Sequence, residues 1–137
     1  MITQNEQLTT NNSKRTANNS KSKDVKVRAY NFSLDTIKFV NSLPTQLAFR
    51  TIGDQLLRSS TSIGANLIEA KASISRKEFI KYYQIALKSG DETQYWLSLL
   101  KDSYKEHAPR CEMLLSELTE ICRMLASSLI TLKDKRF

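Results

Sequence analysis

Between Cys111 and Leu132 an apolar residue recurs at alternating spacings of four and three for three heptads: Cys111, Leu115, Leu118, Cys122, Leu125, Leu129 and Leu132. A strand alternates its faces every two residues and cannot use this pattern, whereas a helix in a left-handed bundle repeats its seam about every 3.5 residues. The spacing therefore predicts a helix opened by Pro109 and running to about Lys133. A lone helix cannot bury such a seam, so the remainder of the chain has to supply partners. Only 3 Gly and 2 Pro interrupt 137 residues, 40% of them hydrophobic. That composition favours long helices over turn-rich β structure, and the length suits one domain with one core.

Three further helices are expected. The first begins near Asp24, an N-cap residue, and runs to about Ser42 with Val27, Tyr30, Leu34, Ile37 and Val40 along one face and Phe32, Phe39 and Leu43 on a second. Pro44 ends it and suits the first turn of a second helix that continues to about Ile74, with Phe49, Leu56, Ile63 and Ala70 as its spine. Ser75 with Glu78 reads as a capping box opening a third helix to about Tyr104. Most faces of this third helix carry apolar residues, among them Phe79, Ile80, Tyr83, Leu87, Trp96, Leu97 and Leu100, which suggests burial against another subunit. The fold class expected is all-α: an up-down-up-down four-helix bundle over residues 24–137.

Residues 1–23, "MITQNEQLTTNNSKRTANNSKSK", are Asn, Ser, Thr and Lys with little apolar surface to offset ordering entropy, and are expected to form a disordered basic tail. Positive charge concentrates there. Residues 1–28 hold six basic and two acidic side chains, while residues 29–137 hold fifteen and twelve. A basic arm can gain nucleic-acid affinity by counterion release; otherwise it is a solvated leader. No apolar run is long enough to span a bilayer, and the polar N-terminus lacks a signal-peptide core, so a cytoplasmic protein is expected. Cys111 and Cys122 lie eleven residues apart on one helix, about 16 Å along its axis, too far to bridge, and read as small core residues.

The stretch "RSSTSIGANLIEA" over residues 58–70 sets four hydroxyl residues, a glycine and an asparagine inside the second helix. Arranged by heptad, these small residues flank the apolar spine, where they let a neighbouring backbone come close. Arg58, Ser62, Asn66 and Glu69 share a strip. On the third helix, Glu92 sits one turn from Ser89 and Trp96. An antiparallel hairpin about Ser75 puts Arg58 and Glu92 at equal distances from the turn, so the reading favoured is a structural polar network of Arg58, Ser62, Asn66, Glu69, Ser89 and Glu92, with a buried Arg58–Glu92 pair at its centre. The alternative is a small ligand-binding or hydrolytic bundle using Glu69 and Glu92 as an acid/base pair. Nucleophilic catalysis would require a base beside a serine, and the one histidine, His107, falls near a loop where solvation is expected. There is no Glu-x-x-His, no Cys-x-x-Cys and no Gly-rich phosphate loop, so neither a metal nor a cofactor is expected.

The segments "LPTQLAFRTIGDQLLRSSTSIGANLIEA" and "KEFIKYYQIALKSGDETQYWL" resemble the bacterial four-helix bundle family named after the protein encoded in the 23S ribosomal RNA intervening sequence. The resemblance rests on Pro44, Gln55, Leu56, Arg58, Ser62, Ile63, Asn66, Glu69, Phe79, Ala86, Ser89 and Glu92, about half of the chain. It implies a four-helix subunit, commonly a ring-like homopentamer, with no established enzymatic activity. The wider group is similar to the accessory protein of diversity-generating retroelements, which binds nucleic acid and a reverse transcriptase. The expected function is a non-enzymatic oligomeric bundle acting as an adaptor or RNA- or DNA-associated accessory factor. Arg50, Lys71, Arg76, Lys77, Lys81 and Lys88 are the candidate nucleic-acid contacts.

Overall fold

A computed structural model describes residues 22–134; the expectation of a disordered tail over 1–23 lies, apart from Ser22 and Lys23, outside the described residues. The order of elements is α1 (Val25–Asn41), α2 (Leu47–Lys71), α3 (Arg76–Ser103), a single 3₁₀ turn (Lys105–His107) and α4 (Ala108–Asp134). Each helix packs against its neighbours in sequence, and α1 closes against α4, so the four stand around one core with α1 diagonal to α3. No helix among the described residues is long and apolar enough to cross a membrane.

Local chemistry sets the helix ends. Asp24 accepts a hydrogen bond from the Lys26 N–H at 2.9 Å, and the Ser75 hydroxyl accepts from Glu78 N–H at 3.1 Å, each occupying an orphan donor of a first turn. Lys38, Lys71, Lys101 and Lys133 lie in the last turns, where positive charge complements the helix dipole. Pro44 does not open α2 as expected: the chain runs through a turn to Gln46, and the helix starts at Leu47. The restriction that proline places on its surroundings is met by the turn itself.

The core combines Ala29, Phe32 and Phe39 of α1, Leu56, Ile63 and Leu67 of α2, Ala86, Leu97 and Leu100 of α3, and Cys111, Leu118, Ile121 and Leu125 of α4. Gly64 of α2 lies against Ala29, where even an added Cβ would sit 3.7 Å from the Ala29 methyl; two small residues let these helices approach closely. On α4 the buried face is rotated slightly from the heptad seam, so that Leu114 and Ile121 are buried while Leu115, Cys122 and Leu132 are half-buried.

α1 carries two apolar faces, and one of them enters the core. Its buried face is Val25, Arg28, Ala29, Phe32, Thr36 and Phe39. The first of the two expected stripes largely points away from the core: Val27 is 44% exposed, Tyr30 65% and Ile37 39%, with Leu34 half-buried, while Val40 is half-buried and packs against the core. At about 100° per residue the two faces are roughly opposite, so α1 is apolar on both sides. The face that enters the core carries both phenylalanines of α1, Phe32 and Phe39, with Val25 and Ala29 beside them.

Candidate functional site

The α2–α3 seam carries the polar constellation. Ser59 and Ser60 are buried, and their hydroxyls donate to the Leu56 and Leu57 carbonyls of their own helix. Thr61 likewise donates to Leu57. Helical hydroxyls bonded back to the preceding turn satisfy their donors without a partner helix, which is how Ser59 and Ser60 tolerate burial. Two direct links then cross the seam. Thr93 Oγ1 donates to Ser59 Oγ at 2.9 Å in full burial, and the Ser62 and Ser89 hydroxyls share a hydrogen bond of 3.0 Å. Asn66 Nδ2 donates to Ser62 Oγ at 3.0 Å and to the Ser62 carbonyl at 2.7 Å. Register between the two helices is thereby pinned at two successive levels.

The charged members of the expected network do not join it. Arg58, Glu69 and Glu92 are all exposed, and none of their side chains makes a hydrogen bond or ion pair among the described residues. The register does put Arg58 and Glu92 at the same height, as the distance from the turn implies. Height is only half of the condition. Each side chain is rotated onto the solvent side of its helix, and water solvates a charge there better than a half-formed pair would. Nor are Glu69 and Glu92 placed as an acid/base pair. By the same register Glu69 stands level with Tyr82, ten residues and about 15 Å from Glu92, beyond the roughly 5–9.5 Å that two-carboxylate chemistry uses. One turn beyond Glu92, Trp96 is half-buried, and its indole N–H is shielded from water without an acceptor among the described residues.

The buried ion pair lies elsewhere. Arg28 of α1 donates through Nε to Glu117 Oε1 at 2.7 Å and through Nη2 to Oε2 at 2.9 Å, with Nη1 directed at the Met124 sulfur. The guanidinium side chain is 9% exposed and the carboxylate 22%. Hydrogen bonding to Glu117 holds the Arg28 pKa above its ordinary value despite burial. The α1–α4 contact is the least extensive of the bundle, and this two-pronged bond clamps it. Sequence reading missed it because Arg28 and Glu117 are 89 residues apart. The available signal was Arg28 itself, a charge in register with Ala29, Phe32 and Phe39.

His107 also differs from expectation. It is half-buried, its ring lies edge-on to Phe39 at 5.8 Å and beside Tyr104 at 4.8 Å, and Tyr104 in turn meets Phe49. Arg110 covers Phe39 and donates to Ser42 Oγ at 2.7 Å. This aromatic end-cap closes the end of the bundle where α3 gives way to α4, about 15 Å along α2 from Ser59. Cys111 is buried and Cys122 half-buried, both free thiols, and burial pushes each up to about 11. Among the described residues no three His, Cys, Asp or Glu side chains gather as a metal site.

The basic candidates divide by position. Lys88 is exposed near the middle of α3, and Lys71, Lys77 and Lys81 are exposed at or near the end where α2 turns into α3. Arg76, in the same region, is half-buried and donates to the Leu132 carbonyl in the last turn of α4, so it caps a helix end. Arg50 is exposed but stands 21 residues before Lys71 on the same helix, about 31 Å away, and does not belong to that group.

These features define an antiparallel four-helix bundle whose polar seam is satisfied mainly by serine, threonine and asparagine. The chain belongs to the 23S rRNA-intervening sequence protein family, whose model matches residues 21–127. A solved structure of a protein with unknown function from the S23 ribosomal protein family of Bacteroides thetaiotaomicron is similar at 35% identity with a TM-score of 0.72, over 77% of this chain and 94% of that one. No curated protein matches.

Proposed function

We propose that this chain is a non-catalytic, self-associating adaptor that holds nucleic acid on the basic end of its α2–α3 hairpin. The observation that carries the reading is the line of Lys77, Lys81 and Lys88, spaced by four and seven residues on the exposed side of α3, with Lys71 beside it at the end of α2. The line extends about 16 Å, enough for several phosphates of one strand. A shallow groove along the start of α3, where Ile80 and Tyr82 lie among Arg76, Lys77, Lys81 and one acid, Glu78, offers aliphatic and aromatic surface beside those charges. The polar seam supports a non-catalytic role, since its hydroxyls are engaged within the fold and its carboxylates lie apart. Two free thiols suit a reducing compartment, in keeping with a cytoplasmic protein.

Self-association is supported by the apolar residues on the outside of α1, and the resemblance set out from the sequence makes a homopentamer the assembly to test. Light scattering should give a mass several times 15.7 kDa, five-fold for a pentamer. Titration with total RNA and with DNA at two salt concentrations tests the other half. Three phosphate contacts correspond to a slope of about 2–3 log units in affinity per tenfold salt, and Lys77→Ala, Lys81→Ala and Lys88→Ala together should remove most of it. Absence of binding at low salt, or a slope indifferent to these lysines, refutes the nucleic-acid reading.

A further inference from the structure

The outer face of α1 is matched by a second face on the opposite corner of the bundle. On α1 the exposed Val27, Tyr30 and Ile37, with the half-buried Leu34 between them, form a stripe bounded by Lys23 and Lys26 at one end and Lys38 at the other. Asp24 and Asp35 fall on the flank of this face, and neither Asp35 nor Lys38 is without a partner in the protomer. On the far half of α3 the outward residues are Asp91, Glu92, Tyr95, Leu99 and Asp102, all exposed, with Tyr95 at 58%. The order there is acid, apolar, acid, where α1 has base, apolar, base.

The dimensions agree. Lys26 to Lys38 is twelve residues, about 18 Å, and Asp91 to Asp102 is eleven, about 16.5 Å. Within each set the side chains fall inside about 120° of the helix circumference and lie opposite the core. An apolar strip with charged ends therefore stands at one corner, and one of equal length and opposite sign at the diagonal corner.

We infer that α1 of one copy of this chain docks on the Asp91–Asp102 half of α3 of another copy. The occupant is a second copy because the two faces complement each other in length, in apolar content and in the sign of both ends. Two different faces on opposite corners form a head-to-tail contact, which repeats from copy to copy and closes only as a ring. Lys77 and Lys81 lie outside the contact and Lys88 at its edge, so the basic half of α3 stays open. This inference rests on the self-association proposed above and assigns the surfaces that perform it.

Charge reversal of the full-length chain provides the test, read by light scattering with circular dichroism to verify folding. Lys23→Glu, Lys26→Glu and Lys38→Glu in one variant, and Asp91→Lys, Glu92→Lys and Asp102→Lys in another, should each weaken assembly at least tenfold and leave helical species near 15.7 kDa. Combining all six in one chain reverses both faces and should restore assembly. Tyr30→Asp changes a side chain that the protomer leaves exposed, and should disperse the assembly without loss of helix. A monomeric parent overturns both self-association and this contact. An assembled parent that is unaffected by the single-face variants, or not restored by the six-fold one, overturns the contact alone.

Discussion

Removing one partner of the Arg28–Glu117 clamp strands the other in a site built for a pair. In Glu117→Gln the buried guanidinium loses its counter-charge and one of two short acceptors, and Met124 sulfur is no substitute. Breaking a fully buried ion pair from one side costs about 3–5 kcal/mol. Glu117 retains 22% of its side-chain exposure, so water recovers part of the loss and about 2–3 kcal/mol is expected. Arg28→Met should cost a similar amount, because it leaves a carboxylate facing Met124 and the α1–α4 interface. Arg28→Met with Glu117→Leu removes both charges and keeps most of the packing, and should lie within about 1 kcal/mol of the parent. With a urea m-value of about 2 kcal/mol/M, the single variants should lower the unfolding midpoint by about 1–1.5 M, at matched protomer concentration. If Glu117→Gln unfolds within about 0.5 kcal/mol of the parent, or if the two single effects add in the double variant, the clamp does not hold α1 to the bundle.

Glu92→Gln and Arg58→Met, by contrast, should each change protomer stability by less than about 0.5 kcal/mol in the same unfolding assay, since both are solvated; losses of 2 kcal/mol or more would mean that the pair forms. Gly90→Ala should cost about 1–3 kcal/mol although alanine is the better helix former, because a methyl there would lie 2.5 Å from the Cys122 sulfur; adding Cys122→Ala should recover most of the loss, and a neutral single variant would show that the sulfur moves aside freely. Both thiols should resist alkylation of the folded protein at pH 8, followed by mass spectrometry, and react on unfolding. Their folded values of about 11 exceed the unfolded range, so the stability that their burial contributes is full below about pH 8.5 and is lost as pH climbs through 11. Rapid labelling of the native fold at pH 8 would contradict this.

The helices were legible from sequence because their signals are local. Asp24 and Ser75 cap helices through neighbours two and three residues away, and the heptads of α4 need a partner without specifying which. The antiparallel register of α2 and α3 was legible too, since a short turn fixes heights along both arms. What sequence alone left open is rotation about each helix axis. Arg58 and Glu92 stand at the predicted height and still face water, because azimuth depends on which side the other two helices occupy. The same freedom left α1 open, where two apolar stripes compete and the packing of α2 and α4 gives the core to the face with Phe32 and Phe39. Arg28 and Glu117 meet through that same choice. Turning α1 to bury its phenylalanines carries an arginine inward with them, and only the closed bundle brings α4 round with a carboxylate to meet it.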